Sequence, residues 1–210
     1  MVTDKPKRVG IMGGTFNPIH NGHLILAECA YDQFKLDKIL FIPNGKPPHK
    51  DILDDSVSNQ DRQEMVRLAI LNNPHFELDT EEMLRYGYSY TKDTLRRLCE
   101  AHKDTTYYFI IGGDSLMSFD QWYCPDEICK YCILLAAVRH QMNVEDMERQ
   151  MDHLRSVYGA KIEMLHTPEL DISSSRLRQM HSRGESIRYY IPDIVYDYIR
   201  RTGLYENSKG

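Results

Sequence analysis

The sequence predicts an α/β fold in which a parallel β-sheet carries helices on both faces. Three observations predict it. Short apolar runs of strand length alternate with segments of helical period along most of the 210 residues, which is the pattern of repeated β–α units. The first run ends in Gly13-Gly14 and passes directly into a helical pattern, giving a strand, a tight turn and a helix. Residues with apolar side chains make up 41% of the chain, enough for one domain of this length to bury a core on both sides of a sheet.

The elements follow in order. Arg8 to Met12 reads as the first strand, and Leu24-Ile25-Leu26-Ala27 sets the apolar spacing of a helix from about Gly22 to Phe34. Lys38 to Ile42 is a second strand. A polar, proline-bearing loop over Asn44 to Asn59 separates it from a helix of about Asn59 to Asn72. His75 to Leu78 precedes a helix from about Thr91 to His102, and Thr106 to Ile111 precedes a short helical stretch from Ser115 to Phe119. Tyr131 to Val138 leads to a helix from about Val144 to Tyr158, and Lys161 to Leu165 leads to Ser173 to His181. The whole of 1–210 reads as a single domain with a small helical C-terminal part at about 170–205. In an open sheet of this kind ligands bind at the carboxyl ends of the strands. Gly13-Gly14, Asn44 to Lys50 and Gly112-Gly113-Asp114 all fall there.

Composition removes several functional classes. A formal net charge of −5 argues against a nucleic-acid coat or a binder of anionic membranes, so an anion site here must be a local concentration of positive charge. No stretch approaches the 18 apolar residues of a membrane span, and the first residues lack the apolar core of a signal peptide. A cytoplasmic location is expected. The five cysteines read as reduced thiols within apolar patterns. Cys124, Cys129 and Cys132 lack the fourth ligand that a structural zinc requires, so no protein-held metal is expected.

The chemistry is concentrated in Gly13-Gly14-Thr15-Phe16-Asn17-Pro18-Ile19-His20-Asn21-Gly22-His23. A glycine turn before a helix brings N–H groups and the helix dipole onto a phosphate. His20 and His23, three residues apart, share a helix face. Neither G-x-G-x-x-G nor the P-loop pattern is present. A second signal is Ile172-Ser173-Ser174-Ser175-Arg176-Leu177-Arg178, where serines opening a helix supply hydroxyl and N–H donors. Helical spacing brings Ser174, Ser175 and Arg178 together and sends Arg176 elsewhere.

These eleven residues from Gly13 to His23 resemble the signature of the nucleotidyltransferase superfamily with the His-x-Gly-His motif. Within it the chain is similar to the bacterial nicotinate-mononucleotide adenylyltransferases, nearly from end to end. The resemblance implies a Rossmann-like, doubly wound sheet. It also implies transfer of adenylyl from ATP to nicotinate mononucleotide, giving nicotinate adenine dinucleotide and pyrophosphate in NAD biosynthesis. It assigns His20, His23 and Arg178 to catalysis. It implies that ATP is held by Gly13, Gly14, Thr15, Phe16, His49, Lys50, Gly112, Arg139, Ile172, Ser173, Ser174 and Ser175. Asp114 is expected to hold the ribose of the nicotinate nucleotide, Trp122 to stack on its ring, and Thr91 at a helix start to meet its carboxylate. Arg139 is followed by His140-Gln141, where many relatives have Pro-Gly. Asp79, Glu82 and Arg85 read as structural ion-pair residues. Mg²⁺ is expected on the ATP phosphates with water filling its other sites. Neither nucleic acid nor membrane is an expected partner, and a homo-oligomer is compatible with the sequence. Pantetheine-phosphate adenylyltransferase and other small-molecule nucleotidyltransferases share the histidine motif. A non-catalytic nucleotide sensor is the alternative of another class, separated by isotope exchange between pyrophosphate and ATP.

Overall fold

The computed structural model describes residues 6–45, 57–137 and 144–206. Six parallel strands form one sheet in the order β3-β2-β1-β4-β5-β6: β1 (Lys7–Gly14), β2 (Lys38–Pro43), β3 (Phe76–Leu78), β4 (Thr105–Gly112), β5 (Cys132–Ala137) and β6 (Lys161–Leu165). This is the doubly wound order, whose direction reverses between β1 and β4. A crevice therefore opens above the carboxyl ends of these two strands, where Gly13-Gly14 and Gly112 lie.

The period-2 alternation of the strands divides the core. Ile39 and Phe41 of β2 belong to one cluster, and Leu40 and Ile42 to the other; in β4, Tyr108 and Ile110 oppose Tyr107, Phe109 and Ile111. On the first face lie α1 (Asn21–Phe34), α2 (Asn59–Ile70), α7 (Ser174–Ser182) and α8 (Asp193–Thr202), through Ala27, Met65, Leu177, Val195 and Ile199. On the second lie α3 (Thr91–Ala101), α4 (Gly113–Met117), α5 (Pro125–Tyr131) and α6 (Val144–Tyr158), through Leu95, Leu116, Ile128 and Met151.

Two local expectations are corrected. The helical stretch at Ser115 to Phe119 begins earlier, at Gly113, and breaks into a separate 3-10 turn over Phe119–Gln121. The segment read as the start of a strand at Tyr131 is the last turn of α5. Pro125 at its first position, with Asp126 and Glu127 beside it and Lys130 in the last turn, are ordinary start and stop signals. The apolar run beside them outweighed these in the sequence. No helix among the described residues is long and apolar enough to cross a membrane. Burial raises the Cys129 thiol to about 11 and the Cys132 thiol well above its ordinary value, so both are unreactive.

Candidate active site

The register pairs Gly13 with Ile42 and Gly14 with Pro43, so the loops leaving β1 and β2 begin side by side. In the first loop Phe16 adopts a left-handed backbone (φ 50) and drives its ring into the core. The ring lies 6.0 Å from that of Phe41 and 5.0 Å, edge-on, from that of His23. His20 occupies the N-cap of α1, and its backbone N–H donates to Nδ1 of His23 at 3.2 Å. The two imidazoles stack with centroids 3.7 Å apart. A backbone N–H only donates, so Nδ1 of His23 is an acceptor, and the neutral ring carries its proton on Nε2. A Cβ at Gly22 would stand 3.0 Å from Nδ1 of His20, so glycine between the histidines lets the His20 ring lie against the first turn of α1.

The helix end is already in use by the protein. Asn21 donates its N–H to the Tyr190 carbonyl at 2.8 Å and its side-chain amide to the Tyr189 carbonyl at 2.7 Å. Asn21 is thus closed to a ligand.

Helix α7 reaches the same loop. Ser174 Oγ donates to the Pro18 carbonyl at 2.9 Å, and Arg178 Nη1 donates to the Asn17 carbonyl at 2.7 Å. Ile172, half-buried, faces Gly22. Ser173 is the N-cap, accepting from the Arg176 N–H at 3.3 Å. Arg176 turns outward to Asp171 at 2.7 Å. One expectation is corrected: Ser175 is exposed and lies with Arg176 and Gln179 on the outer face, while Ser174 and Arg178 share the inner one. The i,i+4 spacing of the latter pair aligns them more closely than i,i+3 aligns Ser175.

A cavity of about 390 Å³ runs from Gly13, Gly14 and Thr15 past Phe109 and Ser115 to Trp122, Tyr123 and the start of α3 at Tyr90-Thr91. Thr91 is the first residue of α3, so its N–H has no acceptor within the helix. Trp122 is half-buried, edge-on to Phe109 and tilted on Phe119. Lys92 Nζ lies 4.7 Å above the Tyr123 ring. Gly112 is the N-cap of α4, and a Cβ there would meet nothing within 4 Å. Asp114 is exposed on the first turn of α4; its neighbour Ser115 lines the cavity instead. His49, Lys50 and Arg139 lie outside the described residues.

One residue departs from the sequence reading, and a second was not singled out by it. Glu82, taken as one of a structural ion-pair set, is buried and lines the cavity with Ser89 and Thr94. Its Oε1 accepts from Thr94 Oγ1 at 2.5 Å, and Arg85 is instead 3.8 Å from Glu81. Burial pushes the Glu82 carboxyl above its ordinary 4.5, against the opposing Thr94 hydrogen bond and the Arg85 charge. The folded protein therefore holds this proton more tightly than the unfolded chain. The stability it contributes is full below 4.5 and lost as pH rises through the raised value. Glu82→Gln retains an acceptor for Thr94 and cannot ionise. The melting temperature of the wild type, relative to that of Glu82→Gln, should fall as pH is raised from 4.5 toward neutrality; a difference that grows in favour of the wild type over that window contradicts this account.

The second is Arg62, which carries no local motif. It is 0% exposed and ties the two loops together. Nη1 donates to the Thr15 carbonyl at 2.8 Å. Nη2 donates to the Asn44 carbonyl at 2.7 Å, the Gly45 carbonyl at 3.2 Å and Asn59 Oδ1 at 2.6 Å. Its signal in the sequence is its place on the apolar stripe of α2 with Met65, Val66 and Ile70, where a charge is out of pattern.

The cytidylyltransferase-like family model matches residues 11–180. A probable nicotinate-nucleotide adenylyltransferase of Lachnoclostridium phytofermentans is 43% identical over 199 residues, covering 95% of this chain and 99% of that one. One from Thermoanaerobacter sp. is 38% identical over 207 residues, covering 98% of each. Among solved structures, the nicotinic acid mononucleotide adenylyltransferase of Plasmodium falciparum complexed with NaAD superposes with a TM-score of 0.77 at 20% identity, covering 95% of this chain and 97% of that one. The likeness at that identity is one of fold. From the family model and the near full-length identity to the bacterial relatives, the chain belongs to the cytidylyltransferase-like family and, within it, to the nicotinate-nucleotide adenylyltransferases.

Proposed function

We propose that this chain transfers the adenylyl group of ATP to nicotinate mononucleotide, forming nicotinate adenine dinucleotide and pyrophosphate in NAD biosynthesis. The observation that carries the reading is the continuous cavity. It joins a phosphate-type loop, Gly13 to Thr15, to a flat indole and a helix N-terminus at Trp122 and Thr91. Polyphosphate and a pyridine carboxylate can thus be held in one crevice. A phosphate oxygen of the mononucleotide attacks the α-phosphorus of ATP in line; the bond to the bridging oxygen breaks and pyrophosphate leaves. No covalent intermediate on the protein is required, so catalysis is positioning and charge stabilisation. Nε2 of His23, with His20, donates at the α- and β-phosphates. Arg178 draws the leaving pyrophosphate toward α7, and Ser174 fixes that helix on the loop. The mononucleotide's ribose is assigned to Ser115, which lines the cavity, and to the adjacent Asp114.

Among the described residues no three His, Cys, Asp or Glu are grouped to hold a metal ion. The loop presents imidazoles, amides and a guanidinium, which are donors or cations. A magnesium ion therefore fits as one carried on the phosphate oxygens and water, where it neutralises phosphate charge.

The acid should be preferred over the amide. The Thr91 N–H and the helix dipole favour a carboxylate. An amide NH₂ facing those donors leaves one unmatched, at a cost of about 1–3 kcal/mol, or roughly tenfold or more in kcat/KM. Trp122→Ala should weaken both pyridine nucleotides and spare ATP. Rates with the two mononucleotides at fixed ATP and Mg²⁺ test this, and equal efficiency would remove the carboxylate argument while leaving adenylyl transfer intact. Release of nicotinate adenine dinucleotide by the wild type tests the reaction itself.

A further inference from the structure

Arg62 is the largest fully buried side chain among the described residues, and it forms no ion pair with any described carboxylate. Its partners are the three main-chain carbonyls of Thr15, Asn44 and Gly45 and the side-chain oxygens of Asn59 and, at 3.5 Å, Asn44. The Nη1 bond to Thr15 and the Nη2 bonds to Asn44 and Gly45 span the ends of β1 and β2. The planar fork matches this spread of acceptors, which a single ammonium could not cover. The same contacts place a full positive charge directly behind Thr15, on the protein side of the loop that faces the cavity.

Burial of an arginine disfavours its charged form, and desolvation lowers its affinity for the proton. A guanidinium nevertheless stays charged at any physiological pH. Carbonyl oxygens solvate the charge without cancelling it. In a weakly polarisable interior such a charge acts over a longer distance than a surface lysine would.

We propose that Arg62 is a positioning residue for the polyphosphate: it locks the ends of β1 and β2 to each other and supplies a positive charge, paired with no described carboxylate, behind the phosphate-facing backbone. The proposal rests on the reading of this loop as the ATP site. It goes beyond that reading by assigning part of the anion attraction to a residue that never touches the ligand. It also gives a reason for the chain's negative net charge being no obstacle, since the charge that counts is held where the loop needs it.

Charge and scaffold can be separated through Asn59. This residue is exposed on the first turn of α2, and its Oδ1 accepts from Arg62 at 2.6 Å. Asn59→Asp keeps that geometry, creates a counter-ion for Arg62, and puts an acidic residue at a helix start, where it is favourable. Gln60→Asp adds the same charge at the adjacent exposed position without meeting Arg62. MgATP affinity is measured by calorimetry, with kcat and KM for ATP and the melting temperature measured alongside. The expected result is an unchanged or higher melting temperature for Asn59→Asp, with MgATP binding weaker by about 5- to 30-fold. For Gln60→Asp binding changes by less than about twofold. Arg62→Lys, which keeps the charge and loses the fork, should raise KM for ATP and lower kcat together. Equal MgATP affinity for Asn59→Asp and Gln60→Asp would overturn the role of the charge, and wild-type kinetics in Arg62→Lys would overturn the lock. Failure of the wild type to bind MgATP would instead remove the functional reading on which both rest.

Discussion

His23→Ala lowers kcat by about 10²–10³, the scale seen when one preorganised donor to a developing oxyanion is removed, while affinity for nicotinate mononucleotide stays close to the wild-type value. The expectation follows from the ring's anchoring. Nδ1 is held by the His20 N–H at 3.2 Å, and one ring edge rests on buried Phe16. The remaining nitrogen is therefore fixed in direction before substrate arrives. Charge on the phosphate oxygens grows as the bridging bond breaks, so a donor fixed there lowers the barrier more than it tightens ground-state binding. His20→Ala should be comparably slow for a second reason: it removes the ring on which His23 stacks. Because the two act as a unit, the double variant should lose far less than the product of the single losses. Circular dichroism and steady-state kinetics on the three variants check this, and a folded His23→Ala enzyme with normal turnover would refute the assignment.

What was legible in the chain divides along a physical line. The strand–turn–helix at Gly13 to His23 and the serine start of α7 were readable because their chemistry is local. A turn needs glycine, a cap needs a short polar side chain, and i,i+3 or i,i+4 spacing fixes which side chains share a face. The parallel sheet with helices on both faces was accessible through alternation, but its strand order came only with the structure. Arg62 and Glu82 were not readable in this way. Their roles come from contacts across 47 residues to Thr15 and across 12 residues to Thr94, which no local pattern encodes. The clue for Arg62 was an arginine at a core position of an amphipathic helix, which looks like an interruption until its carbonyl partners are seen. Ser175 was misplaced for the opposite reason. Helical spacing gave an approximate face, and the two cap-adjacent serines point to different sides of α7 once Ser173 is fixed as the N-cap.

The last expectation separates two arginines that sequence proximity makes look alike. Arg178→Ala should raise KM for ATP and cut turnover, with a combined loss in kcat/KM of about 10- to 150-fold, the equivalent of roughly 1.5–3 kcal/mol for a charge-assisted contact. Arg176→Ala should change kcat/KM by less than about twofold. The geometry gives the reason. Arg178 lies half-buried on the inner face of α7, with Nη1 on the Asn17 carbonyl, immediately before the turn that leads to His20. Its loss removes a cation from the phosphate side and also frees the turn, so part of the effect should appear as a lower melting temperature. The Tyr205 hydroxyl on Asn17 Oδ1 and Ser174 on the Pro18 carbonyl hold the turn when Arg178 is gone, so the protein should still fold. Arg176 pairs in solvent with Asp171, and an exposed pair of that kind is worth about 0.2–1 kcal/mol of stability. Arg178→Lys discriminates further. It keeps the charge and loses the fork that can serve a carbonyl and a phosphate together, so its kcat/KM should fall between those of the wild type and Arg178→Ala. Equal damage from Arg176→Ala and Arg178→Ala would mean that the outward face of α7 also meets the nucleotide, and the assignment of the inner face alone would have to be abandoned.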